Sequence, residues 1–115
     1  SDVVGSLRED VKWEQITSAL LPAGSISGAP KLSAIKSIKD IEKVERGPYC
    51  GVIGWVEGDQ ALLSVGIRIF WSKEDGKINF GTGAGITWQS DPRGEWDETE
   101  LKANRLISIA SGVLV

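Results

Sequence analysis

The period of apolar and polar positions changes along this chain, and each change marks an element. Trp13, Ile16, Leu20 and Leu21 fall at helical spacing over residues 11–21, after Asp10 as a possible N-cap, and Pro22 ends the run. Residues 22–29, PAGSISGA, have no period and predict a loop. Leu32, Ile35, Ile38 and Ile41 then recur every three residues, with Lys36, Lys39 and Glu42 on the other face. That pattern predicts an amphipathic helix, with Pro30 in its tolerated first-turn position.

After the turn Arg46-Gly47-Pro48 the pattern becomes extended. Tyr49 to Val56 reads as a strand, and Gly58-Asp59 as its hairpin turn. Residues 61–71 predict a second strand, with Val65, Ile67 and Ile69 on one side and Arg68 on the other. Glu74 to Lys77 signals another turn, and 77–88 a third strand interrupted by Gly81, Gly83 and Gly85. Such glycines mark a bulge or a close approach of backbone to a ligand. A loop over 89–94 leads to a helix from about Glu95 to Ile109, with Leu101, Leu106, Ile107 and Ala110 as apolar contacts. The expected fold is therefore α+β: an antiparallel three-stranded meander flanked by helices, with residues 1–115 as one unit. Its sheet edges need covering, as they would in half of a larger sheet.

Composition narrows the function classes. The chain is 41% hydrophobic and 25% charged, as in an ordinary globular protein. Its net charge of -3, without a dense basic run, argues against a nucleic-acid partner. No apolar stretch suits a membrane span, and no secretory signal opens the chain, so a cytoplasmic location is expected. The absence of His excludes an imidazole metal site or a Ser-His-Asp triad built from this chain alone. The single Cys50 excludes an internal disulfide. Without Met, the first residue is not expected to be a translation start: the chain is either processed or part of something longer, and the opening Ser-Asp-Val-Val-Gly, without a targeting signature, favours the second.

Four segments could carry chemistry. Gly24 to Lys31 is a Gly-rich loop entering a helix, which either caps that helix through Ser27 or turns backbone N–H groups toward an anion. Its glycine and lysine spacing fails the phosphate-loop pattern. Gly81-Thr82-Gly83-Ala84-Gly85 is not the dinucleotide fingerprint; it predicts a bulged strand or a backbone N–H pair facing a carboxylate. Glu95, Glu98 and Lys102 share one helix face, either as a surface Glu98–Lys102 pair or as a carboxylate pair suited to a hard cation. Arg68 reads as a solvent-facing strand residue unless it stands beside Tyr49, where guanidinium and phenol would clamp a carboxylate.

These segments occur in one order: GSISGAPK, GPYCG, SVGIRI, GAGI and SDPRGEWDETELK. The series resembles the C-terminal catalytic region of the chorismate-utilising enzymes, over about Ser1 to Ala110. That family comprises anthranilate synthase component I, aminodeoxychorismate synthase component I, isochorismate synthase and salicylate synthase. The resemblance implies half of the larger anthranilate-synthase-type α/β sandwich. It implies that Tyr49 and Arg68 bind the enolpyruvyl carboxylate of chorismate, joined by backbone at Gly83, Ala84 and Gly85. Ser25 and Gly28 would line the pocket, although Ser25 replaces a threonine common in the family. Glu98, with Glu95 nearby, would hold Mg²⁺ against the ring carboxylate, and Lys102 would stand beside the metal.

The general acid and base, another metal-ligating glutamate and the docking surface for a glutamine amidotransferase would lie upstream of Ser1. The chain alone is therefore expected to be inactive, and the rest of its own catalytic domain is an expected partner. Cys50 after Tyr49 resembles the aminodeoxychorismate enzyme (para-aminobenzoate synthase) of folate biosynthesis, which aminates chorismate to 4-amino-4-deoxychorismate. Anthranilate synthase component I of tryptophan biosynthesis is the alternative, followed by isochorismate or salicylate synthase. A non-enzyme alternative is a small-anion binding module that kept the fold without the chemistry.

Overall fold

The computed structural model describes residues 2–112. Its elements run α1 (Trp13–Leu20), α2 (Gly24–Ser27), α3 (Lys31–Ile41), β1 (Val52–Glu57), β2 (Gln60–Val65), β3 (Phe70–Ser72), β4 (Ile78–Phe80) and α4 (Pro92–Ala110). The class is α+β, as the alternation of patterns implies.

The α1 helix starts later than expected. Lys12, not Asp10, is its N-cap, and the Gln15 side chain accepts a hydrogen bond from the Lys12 backbone N–H at 2.8 Å. Extended backbone at Leu21, ahead of Pro22, stops the helix, as a residue before proline favours. The Trp13 indole N–H donates to the Gly58 carbonyl at 3.1 Å, which fastens α1 to the distant turn between β1 and β2. The expected loop at 22–29 contains the helical turn α2. Pro30 is the N-cap residue of α3 rather than a residue of its first turn.

The expected three-stranded meander is two separate antiparallel hairpins. In the first, Val52 faces Val65 and Glu57 faces Gln60, so the turn is Gly58-Asp59 as read from sequence. Gly58 takes a positive φ of 56° at the first central position, where glycine relieves the steric cost. In the second, Phe70 faces Phe80 and Ser72 faces Ile78, and the two phenylalanine rings stack with centroids 4.7 Å apart.

What divides the sheet is the segment 66–69, expected to continue the second strand. The Ile67 N–H donates to the Val65 carbonyl at 2.9 Å, a three-residue turn centred on Gly66, and Arg68 adopts a left-handed φ of 55°. A side chain at Gly66 would put its Cβ 2.4 Å from the Pro48 carbonyl oxygen, so only glycine fits there. Alternation from Val65 to Ile69 is real in the sequence but is not expressed as a strand.

Helix α4 begins three residues before the expected start. Asp91 is its N-cap, accepting from the Gly94 N–H at 2.8 Å, and Pro92 follows in the first turn. Of the apolar contacts expected on this helix, Leu101 and Ile107 are exposed; Ala103 is the residue that is buried. Leu32 and Ile41 on α3 are likewise open to solvent. Among the described residues the buried hydrophobic core is Cys50 and Ala103 alone.

Candidate functional site

One open cavity of about 1300 Å³ runs between the α2–α3 segment, the turn at 46–49, the Arg68 turn, the 81–87 segment and Lys102. All the residues expected to bind substrate line it: Ser25, Gly28, Tyr49, Arg68, Gly83, Ala84, Gly85 and Lys102. They come from five places in the sequence, and backbone geometry explains how.

The Gly66 N–H donates to the Gly51 carbonyl and the Cys50 N–H to the Gly66 carbonyl, both at 2.9 Å. These bonds carry the β1–β2 pairing past the strand ends and bring the Tyr49 turn beside the Arg68 turn. Cys50 and Arg68 are the non-glycine residues with positive φ among those described, at 66° and 55°. Each such backbone costs about 1–3 kcal/mol and is kept where surrounding structure imposes it. Here both flank the expected carboxylate clamp.

The third member is the irregular segment 81–87, which forms no strand. A Cβ at Gly81 would lie 2.4 Å from Cγ of Tyr49, and one at Gly83 would lie 3.2 Å from its hydroxyl oxygen. The Tyr49 ring therefore rests on glycine backbone, with its hydroxyl beside Gly83. Close backbone approach, not a strand bulge, is what Gly81 and Gly83 serve. Burial pushes the Tyr49 phenol above its ordinary pKa, with Cys50 and Glu42 adding to the rise and Arg46 opposing it.

Along α4, Lys102 forms an ion pair with Glu98, and Glu95 lies one turn earlier. The bland reading of this face is thus realised, while Lys102 also reaches the cavity wall. Among the described residues no three Cys, Asp or Glu side chains gather as a metal shell. Neither Glu95 nor Glu98 lines the cavity; two carboxylates one turn apart are donors of the type Mg²⁺ takes, with water and ligand oxygens completing its shell.

The loop before α3 is less open to an anion than its glycines suggest. The N–H groups of Ile26, Ser27 and Gly28 bond to the carbonyls of Ala23 and Gly24, and the Ser27 hydroxyl also donates to Ala23. Ser27 therefore does not cap α3. Lys31 does something the sequence left unread: its Nζ donates to the carbonyls of Ala19 at 3.1 Å and Leu21 at 3.0 Å, tying the end of α1 to the start of α3. Glu42 and Arg46 were missed as cavity residues as well. Their opposite charges four residues apart were the available signal.

The profile of the chorismate binding enzyme family matches residues 1–108. The chain belongs to that family. Curated relatives include anthranilate synthase component 1 of Acinetobacter calcoaceticus, 36% identical over 108 residues, covering 93% of this chain and 22% of the relative. The enzyme of that name from Saccharolobus solfataricus is 40% identical over 108 residues, covering 92% and 25%. That from Neisseria gonorrhoeae is 39% identical over 114 residues, covering 98% and 23%. This member of the chorismate binding family thus spans about a quarter or less of those proteins. Their names favour the anthranilate alternative over the aminodeoxychorismate reading that Cys50 suggested. No described helix is long and apolar enough to cross a membrane.

Proposed function

We propose that this chain is the substrate-holding C-terminal part of a catalytic domain that aminates chorismate to anthranilate. The observation that carries the reading is the convergence of Tyr49, Arg68 and the Gly81–Gly85 backbone on one wall of a single cavity, with Lys102 on another. Chorismate is a dianion whose carboxylates stand at opposite ends. Arg68 and Tyr49 would hold the enolpyruvyl carboxylate through charge-assisted hydrogen bonds. Glu95 and Glu98 would hold Mg²⁺, which supplies Lewis-acid neutralisation of the ring carboxylate.

Fixing both ends leaves ring carbon C2 open to ammonia and C4 free to lose its hydroxyl as water, after which the enolpyruvyl group leaves as pyruvate and the ring becomes aromatic. The proton-transfer groups and the glutamine amidotransferase that supplies ammonia belong to other parts of the assembly. The full-length protein containing this chain, given chorismate, Mg²⁺ and ammonia, should produce fluorescent anthranilate. Arg68→Ala should lower kcat/KM about 100-fold, as expected on losing a charge-assisted hydrogen bond to the substrate carboxylate. p-Aminobenzoate formed only after adding a lyase would overturn this reading in favour of the aminodeoxychorismate reaction.

A further inference from the structure

Glu42 and Arg46 lie in the cavity wall and play no part in the clamp as described. Arg46 Nε donates to Glu42 Oε2 at 2.8 Å, while its Nη2 donates to Oε1, so a bidentate fork fixes the plane of the guanidinium. That guanidinium stands 5.7 Å from the centroid of the Tyr49 ring, within cation–π reach. Gly81 backbone packs on the same ring so closely that a Cβ would meet Cγ, Cδ1 and Cδ2 within 2.7 Å. The Tyr49 ring therefore has two close neighbours, the Arg46 guanidinium and the Gly81 backbone, and neither engages its hydroxyl.

We propose that Arg46, held by Glu42, is a positioning residue that pins the Tyr49 ring against Gly81 and so fixes where its hydroxyl meets a carboxylate. The anion-binding half of this statement rests on the function proposed above; the pinning does not. A free tyrosine rotates about two side-chain bonds, and ordering it costs entropy at the moment of binding. Restraint in the unliganded protein removes that cost in advance. The Nε–Nη2 edge of the Arg46 guanidinium is engaged by Glu42 and is not offered to substrate.

The groups that bear on the phenol are Arg46 and Cys50 from the 46–50 turn and Glu42 from the end of α3. The 81–85 segment carries no ionisable side chain. Among these, Arg46 alone lowers the phenol pKa. Tyr49 is the single tyrosine, so phenolate absorbance of the 115-residue chain reports it without interference from another tyrosine. The wild-type midpoint should lie above the ordinary value of about 10. Arg46→Gln should raise it further, as expected on losing a nearby cation.

A wild-type midpoint at the ordinary value, or an Arg46→Gln midpoint unmoved or lowered, would overturn the proposal. If Arg46→Gln loses its circular-dichroism signal, Arg46→Lys carries the test. It keeps the charge and loses the planar fork, so the midpoint should stay near wild type while NMR shows faster Tyr49 ring flipping. Unchanged ring flipping in that variant also overturns the proposal. None of these readouts involves chorismate, so pinning and substrate assignment can fail separately.

Discussion

At the residue scale the site is made by what glycine permits next to Tyr49. Gly81 and Gly85 belong to one glycine-rich string, and the sequence treats them alike. The structure separates them: a Cβ at Gly81 collides with the tyrosine ring, and one at Gly85 meets nothing within 4 Å. Gly81→Ala should therefore cost about 1–3 kcal/mol in urea unfolding, the range for overpacking, and displace the Tyr49 ring signals. Gly85→Ala should change stability by no more than about 0.5 kcal/mol. Equal effects from the two substitutions would contradict the ring placement. Arg68 teaches the same lesson. Its strand alternation was legible, but its left-handed φ belongs to the 66–69 turn, where the Pro48 carbonyl leaves room only for glycine at position 66.

At the element scale helix α4 carries both Lys102, which lines the cavity, and the carboxylate pair, which does not, and its start sets where each falls along the helix. The Asp91 side chain accepting from Gly94 satisfies an otherwise free N–H, while Pro92 has none to satisfy. Asp91→Ala should cost about 1 kcal/mol and fray the turn that holds Glu95. A denaturation series with helicity read by circular dichroism checks it, and an unchanged midpoint would refute the cap's contribution. Helix existence was legible from the spacing of Leu32, Ile35 and Ile38, and of Leu106 and Ala110. The ends were not: Asp10, expected to cap α1, does not, whereas Asp91, inside the expected 89–94 loop, caps α4.

At the scale of the whole molecule, the exposed surface is the dominant fact. A compact protein of this mass presents about 6,100 Å² to water, whereas this chain presents 9997 Å². Its radius of gyration is 16.9 Å, against about 13 Å for a compact chain of this length. Trp88 at 102% exposure, Leu32 at 83% and Ile78 at 74% show where the excess lies. Apolar faces of this extent mark an interface. The isolated chain should bind an environment-sensitive apolar dye and self-associate as concentration rises in sedimentation velocity. A monodisperse, dye-free monomer would show that those faces are covered in solution. The sequence foresaw uncovered sheet edges, but the larger deficit is in side-chain burial.

What the sequence determined by itself was local and chemical. It specified the periodic helices, the Gly58-Asp59 turn, the exclusion of imidazole chemistry and the ordered motifs that place the chain in the chorismate binding family. Tertiary structure decided what becomes of each pattern. It broke the second strand at Gly66, made hairpins of the meander, bonded the N–H groups of Ile26, Ser27 and Gly28 internally and gave Arg46 a place over Tyr49. The physical reason is range. Propensity and periodicity act over a few neighbours, whereas a carbonyl pressed on a glycine, or a guanidinium set over a ring, depends on residues that only the folded chain brings together.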